Sequence, residues 1–353
     1  MFSRCRVSLI GGFFSCLFSG SLRPARKQPP RLHLPRRRNY SFHLASKSCA
    51  TVLVSVAVGL LACGSIPEGF LPPGDPRSAG MVLVPGGPFL MGSSEVQIDS
   101  IHQAYGGNRV LYESEFPPRE IHLEPYYMDR TEVTQADYKR FVDATGRDTP
   151  FVDREWAAPF NWRDATYPPG LADHPVVLVS YFDAFEYCRW AGKSLPTEVK
   201  WEKAARGADG RAYPWGDEWD SSRLHSAAAW AGRELPTMPI WTEWWKAGYL
   251  EQLRGKVVTT KAVGSHPAGA SPYGVLDLAG NVFEWVDSWF QPYPGSPYKN
   301  PEFGETYRVV RGGDWYLDRI YTRSAARLRS PPDHKVTTIG FRCVCQEENV
   351  AAN

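Results

Sequence analysis

Polar capping residues that precede apolar positions at helical spacing predict three short helices in the middle of the chain. In each run, apolar residues three and four positions apart would lie on one face of the helix. A glycine follows each run, and glycine readily adopts the backbone conformation that ends a helix. The predicted starts and ends are Thr134 and Gly146, Ser180 and Gly192, and Thr197 and Gly207.

Short apolar stretches separated by turn residues predict strands rather than further helices. They cover residues 81–84, 176–179 and 308–310. The chain also contains 31 Gly and 30 Pro among its 353 residues, and 13% of the residues are aromatic. These features together predict an α+β domain with little regular secondary structure, whose long loops are packed by aromatic side chains.

The basic residues are concentrated at the beginning of the chain. The first acidic residue is Glu68, and the sequence before it contains several Arg and Lys residues. The remainder of the chain has more acidic than basic residues, although the whole has a formal charge of +2. We therefore expect no nucleic-acid partner for the main domain.

The leader, residues 1–62, ends in an apolar run that is typical of a signal peptide. This run, residues 49–62, is shorter than the roughly 20 residues that a membrane-spanning helix needs. It ends in Leu-Leu-Ala-Cys-Gly, which resembles the site at which bacterial lipoproteins are cleaved and lipidated, here at Cys63. Two acyl chains on Cys63 would give a stable anchor in the cell envelope. An uncleaved short anchor and a chance cysteine are the alternatives.

Composition divides the rest of the chain. Residues 63–80 form a Pro/Gly-rich tether, residues 81–346 a single domain, and residues 347–353 a tail. The leader is long for a signal peptide. Either a start codon assigned too far upstream or an Arg-rich transit peptide would explain its length.

Nine stretches, in order, resemble the sulfatase-modifying-factor family, which includes the formylglycine-generating enzymes. They are residues 81–93, 126–141, 174–184, 188–207, 213–218, 273–285, 308–315, 323–327 and 339–343, with sequences such as YGVLDLAGNVFEW and RVVRGGDW. The resemblance implies a C-type-lectin-like α+β fold. It also implies a disulfide between Cys188 and Cys343, which leaves Cys345 unpaired.

The resemblance places non-cysteine residues at the two positions where the enzymes of this family hold copper. Counted from Gly312 and Gly313, those positions are occupied by Leu317 and Thr322. Copper(I) requires soft sulfur ligands, which a hydrocarbon and a hydroxyl do not supply. We therefore expect no copper and no thiol oxidation. An oxidase with a rearranged site is the alternative.

A calcium site is also implied by the resemblance, in the segment Asp277-Leu-Ala-Gly-Asn-Val-Phe-Glu284. Its ligands would be Asp277, Gly280, Val282 and Glu284. Carboxylates mixed with backbone carbonyls are the ligands that calcium prefers. The alternative is a structural turn in which the two carboxylates cap backbone N–H groups.

The family's substrate groove maps onto Asp314, Trp315 and Asp318, and a retained groove would bind a peptide. A separate aromatic cluster, Trp241, Trp244, Trp245 and Tyr249, has near-helical spacing, which favours packing in the core over binding of a partner or a peptidoglycan-like sugar. The sequence therefore predicts an envelope-anchored binding or scaffold domain with a protein or peptide partner. A third class, the iron-dependent sulfoxide synthases of this family, would need an added helical domain that has no counterpart here.

Overall fold

The computed structural model describes residues 80–249, 260–317 and 319–346. The chain divides into two units, Met1–Cys63 and Gly64–Asn353, and the described residues belong to the second. The predicted leader, the lipidation site Cys63, the tether before Gly80 and the tail from residue 347 lie outside the described residues.

All three predicted helices form where the capping pattern placed them. Thr134 and Ser180 each accept a hydrogen bond from the backbone N–H three residues later, in complete capping boxes, and Thr197 caps the third helix from its side chain. A further capping box, Ser94 with Gln97, begins a helix that the sequence analysis missed. The helices are α1 (Glu95–Tyr105), α2 (Val110–Glu113), α3 (Gln135–Thr145), α4 (Tyr181–Trp190), α5 (Glu198–Arg206), α6 (Ala227–Ala231) and α7 (Met238–Trp244).

Short strands form three small sheets in the described part of the chain. Their bounds are β1 (Met81–Val84), β2 (Gly87–Met91), β3 (Arg119–Leu123), β4 (Tyr126–Asp129), β5 (Phe283–Trp289), β6 (Arg308–Arg311), β7 (Leu328–Ser330), β8 (Ile339–Gly340) and β9 (Val344–Gln346). The sheet orders are β1-β4-β9, β2-β3 and β7-β6-β5-β8, and every pairing is antiparallel except β5 with β8.

The strand predicted at residues 176–179 was wrong. These residues are buried, but Leu178 has a φ of 60°, which a strand cannot accommodate. The N–H groups of Val176 and Leu178 instead donate to Val133 and Val336. An apolar run reports burial, and here burial comes with an irregular backbone.

Helix α5 lies at the centre of the domain and packs against β2, β5 and β6. Its Trp201 is fully buried in a core that also contains Val286, Val309 and Tyr126. None of the helices in the described ranges is long and apolar enough to cross a membrane. Regular elements are short throughout, as the composition predicted.

Ion pairs cross the interior beside this apolar core. Arg311 on β6 donates to Glu198 at 3.1 Å and to Glu202 at 2.6 Å, and Arg327 donates to Glu198 at 2.6 Å. All four side chains are almost completely buried. Buried charges that are paired and hydrogen-bonded in this way fix the position of α5 relative to β6.

Candidate functional site

The segment after β6 turns sharply at two glycines and returns as a 3-10 helix, Arg319–Thr322. Gly313 has a φ of 75°, and a side chain there would lie 2.6 Å from Cγ2 of Thr322 and 3.1 Å from the carbonyl oxygen of Tyr321. Only glycine therefore permits the two limbs of this segment to approach so closely. The turn brings the region of Leu317 and Thr322 into the interior of the domain.

Leu317 and Thr322, at the two positions where the enzymes of this family have copper-binding cysteines, are both buried and lack a thiol. Leu317 is 8% exposed, and the Thr322 hydroxyl donates to the carbonyl oxygen of Arg319 at 2.8 Å. Donors of this kind do not fit copper(I), which binds soft thiolates.

The predicted disulfide is confirmed. Cys188 of α4 and Cys343 are joined, with their Cα atoms 5.7 Å apart. Cys345 of β9 is half-buried and unpaired, and its Sγ lies 3.7 Å from Sδ of Met81. The described residues therefore contain no second free thiol that could act with Cys345.

Asp314 and Trp315, predicted to line a peptide groove, are buried instead. Asp314 is 0% exposed and Trp315 is 1% exposed. Asp318, the third predicted groove residue, lies outside the described residues. The two described side chains therefore do not line an open groove in this structure.

A Trp-rich cover, residues 227–245, accounts for this burial. The ring of Trp230 packs on Trp315 with centroids 5.9 Å apart, and Trp245 stacks on Tyr316 at 5.3 Å. Trp241 is 3% exposed and donates from Nε1 to the Tyr316 carbonyl oxygen at 2.9 Å. Trp241 and Trp245 of the aromatic cluster therefore pack inward, as its spacing favoured, and a peptide reaching Asp314 would have to displace them.

Among the described residues, only backbone groups hydrogen-bond to Asp314. Its Oδ1 atom accepts hydrogen bonds from the N–H groups of Leu317 at 2.8 Å and Tyr316 at 3.1 Å, whereas Oδ2 is buried without a hydrogen-bond partner. Burial raises the pKa of Asp314 to about 8, and the two backbone N–H groups offset only part of that effect. The side chain is therefore mostly protonated at neutral pH.

At the predicted calcium loop, the structure commits Glu284 to other partners. Its carboxylate accepts from Arg342 at 2.6 and 2.7 Å and from Trp201 Nε1 at 2.8 Å. Asp277 accepts from the N–H of Gly264 at 2.6 Å. In the described ranges no three His, Cys, Asp or Glu side chains are grouped closely enough to hold a metal ion. Of the predicted ligands Asp277, Gly280, Val282 and Glu284, the last two were to contribute a backbone carbonyl and a carboxylate, and the Glu284 carboxylate is already hydrogen-bonded within the protein.

Glu132, which the sequence analysis did not single out, lies near this loop. Its Oε1 accepts from Asn281 at 3.0 Å, and its Oε2 is buried with no hydrogen-bond partner in the part of the chain that the structure describes. Burial raises the pKa of Glu132 well above its ordinary value, and the charge of Asp277 raises it further. An unpartnered carboxylate oxygen near a second carboxylate suits a hard cation such as calcium. Calcium binding at this loop stays a prediction.

The fold and these motifs define a domain of the sulfatase-modifying-factor class. Residues 71–347 match the model of the sulfatase-modifying factor enzyme 1-like domain, and the chain belongs to this family. The family membership predicted from the sequence motifs is confirmed.

The chain is similar to formylglycine-generating enzymes of animals and bacteria. It is 32% identical to that of Bos taurus over 322 residues, covering 80% of this chain and 78% of that protein. It is 34% identical to that of Streptomyces coelicolor, covering 77% and 91%. It is also 33% identical to hercynine oxygenase of Mycolicibacterium smegmatis, covering 77% and 63%.

Solved structures agree on the fold. PvdO from Pseudomonas aeruginosa superposes with a TM-score of 0.52 at 23% identity, covering 75% of this chain and 94% of that one. Treponema denticola variable protein 1 has a TM-score of 0.51 at 17% identity, with the same coverage. The predicted α+β architecture of low regular content is thereby confirmed.

Proposed function

We propose that this protein is a binding domain of the sulfatase-modifying-factor family that does not oxidise thiols. In this proposal a lipid on Cys63 holds the domain at the cell envelope. Its partner is an envelope protein or peptide, in keeping with the acidic balance of the domain, which disfavours nucleic acid.

The observation that carries the proposal is the chemistry at the two copper positions. Leu317 and Thr322 offer a hydrocarbon and a hydroxyl, and the one free thiol among the described cysteines, Cys345, contacts Met81. Burial also raises the pKa of Cys345, which disfavours the thiolate form that binds metal. The Trp-rich cover supports the same conclusion, because it closes the place where a substrate cysteine would have to enter.

Restoring the thiols tests this loss directly. The double variant Leu317→Cys/Thr322→Cys should bind one Cu(I) ion per chain, whereas the unmodified protein should bind none. Copper content after anaerobic loading and desalting gives the stoichiometry, and Cys345→Ser is the matched control for binding at the remaining thiol. Tight, stoichiometric copper on the unmodified protein would overturn the proposal.

A second function, thiol oxidation at a rearranged site, is favoured by the similarity to two formylglycine-generating enzymes. It requires a metal-binding thiolate other than the family pair. Copper binding that disappears in Cys345→Ser would support this second function over the first.

The envelope location is tested separately. Cys63→Ser should move the protein from the membrane fraction to the soluble fraction, because one serine removes the attachment point for both acyl chains. Unchanged membrane fractionation would instead favour an uncleaved anchor.

Calcium binding has its own test. Titration with calcium should raise the melting temperature of the unmodified protein, and Asp277→Ala should abolish that increase.

A further inference from the structure

A surface cleft of about 680 Å³ lies between the loop at residues 215–223 and Arg319, and its lining includes neither Leu317 nor Thr322. Trp215 and Trp219 form part of its lining, together with Asp217, Asp220 and Glu234. Its volume is in the range of small-molecule binding sites. Its lining combines aromatic rings, carboxylates and a guanidinium group.

The guanidinium group of Arg319 packs against two aromatic rings but has no carboxylate partner among the described residues. Its Cζ atom lies 4.2 Å from the ring centroid of Tyr105 and 5.7 Å from that of Trp219. Its Nε atom is buried without a hydrogen-bond partner. A guanidinium that is oriented by stacking and left unpaired is prepared to bind a carboxylate through two parallel hydrogen bonds.

Two indole rings are fixed beside it. Trp215 stacks on Tyr213 at 5.2 Å with an interplanar angle of 6°, and its Nε1 donates to the Glu218 carbonyl oxygen at 2.9 Å. Trp219 donates from Nε1 to Glu234 at 2.9 Å. Tyr213 packs against both rings, which stay part-exposed and line the cleft with the apolar faces that are left uncovered. Such faces suit the C–H surface of a sugar ring.

The carboxylates of the cleft narrow the ligand class further. Asp217, Glu218, Asp220 and Glu234 outnumber the two arginines that line it, so a polyanion such as a nucleotide would be repelled more strongly than a ligand with one negative charge, which Arg319 can neutralise. Carboxylate oxygens accept hydrogen bonds, and the hydroxyl groups of a sugar can donate them. An aromatic carboxylate lacks such donors.

We propose that this cleft binds a sugar that carries a single carboxylate. Arg319 receives the carboxylate, Trp215 and Trp219 contact the ring, and the acidic side chains accept from the hydroxyl groups. The inference goes beyond the proposed function, because the cleft contains neither Leu317 nor Thr322 and would bind its ligand whether or not the domain oxidises thiols.

Two sugars that differ only by the carboxylate-bearing group test the proposal on the unmodified protein. N-acetylmuramic acid carries a lactyl carboxylate, whereas N-acetylglucosamine has the same ring without it. Isothermal titration calorimetry should give at least about tenfold tighter binding of the acidic sugar, in line with a charge-assisted pair. Equal affinities, or no measurable binding of either sugar, would overturn the proposal.

Variants then locate the contact. Arg319→Gln should remove the tenfold preference while leaving N-acetylglucosamine binding within about twofold. Arg223→Gln is the matched control, because Arg223 lines the same cleft but is already paired with Asp220 at 2.8 Å. An equal loss of preference in Arg223→Gln would contradict the assignment of Arg319. The comparison of the two sugars on the unmodified protein decides the question even where Arg319→Gln does not fold.

Discussion

Buried carboxylates in two regions of the domain are treated in opposite ways. In the scaffold, Glu115 receives two hydrogen bonds from Arg323, at 2.7 and 3.0 Å, and Glu284 receives two from Arg342. In the segment after Gly313, Asp314 is equally buried but receives only backbone N–H groups. Guanidinium groups thus neutralise these two scaffold carboxylates, whereas Asp314 has no such partner among the described residues.

The pKa values follow this difference. Burial alone would raise the pKa of Glu115, but the charge and hydrogen bonds of Arg323 bring it below its ordinary value. Burial raises that of Asp314 to about 8 with no cation to oppose it. A buried acid without a partner costs stability, and such costs are often found at functional sites. Asp314 lies in the segment where the sequence resemblance placed the positions of the family's copper-binding cysteines.

The largest predicted effect is a pH dependence that Asp314→Asn removes. Since the pKa of Asp314 is raised in the folded state, the folded protein binds more protons than the unfolded chain from about pH 4 to pH 8. Asp314 should therefore lower the free energy of unfolding as pH rises, by about 5 kcal/mol in total across this range. Urea unfolding between pH 4 and 9 should show a flatter profile for Asp314→Asn. Parallel profiles would mean that Asp314 is ionised or solvated.

Breaking a scaffold pair should have the next largest effect. Arg323→Gln leaves Glu115 buried without its cation, which should reduce the free energy of unfolding by about 3–5 kcal/mol at pH 7. Urea denaturation measures this reduction in the free energy of unfolding. The control is Arg189→Gln, because the Arg189–Glu186 pair is exposed and should contribute less than about 1 kcal/mol. Similar losses in the two variants would contradict the distinction between buried and exposed pairs.

Asp183 should make a smaller contribution to the pH dependence of the free energy of unfolding, and with the opposite sign: it should raise that free energy as pH rises. Burial would raise its pKa, but hydrogen bonds from Lys335 and Ser180 lower it to about 2. Its stabilisation is therefore present above about pH 4 and lost as pH falls through 2. Asp183→Asn should cost about 2 kcal/mol at pH 7. The difference from the unmodified protein should shrink between pH 4 and 2, as thermal unfolding across that range can show.

The sequence predicted those parts of the structure that local rules govern. Thr134 and Ser180 cap their helices because a capping box needs only four consecutive residues. The Cys188–Cys343 bridge followed from family resemblance rather than from local pattern. The strand prediction for residues 176–179 was wrong because packing imposes the left-handed conformation of Leu178, which an apolar run does not encode.

The site was harder to predict because its character depends on residues far apart in the chain. Trp241 and Tyr316 are 75 positions apart, yet their contact helps to bury the segment that contains Asp314. Arg319 became a candidate ligand-binding residue only when the structure showed Tyr105 and Trp219 against it. The sequence contained all of these side chains, but it gave no signal of their contacts.

Turnover of a peptide thiol tests the central claim most directly. The unmodified protein, loaded with Cu(I) and supplied with oxygen and a thiol reductant, is incubated with a cysteine-containing sulfatase peptide, with the Streptomyces coelicolor formylglycine-generating enzyme as the positive control. Mass spectrometry of the peptide should show formylglycine with the control and unchanged cysteine with this protein. Conversion of the cysteine to formylglycine by this protein would contradict the account.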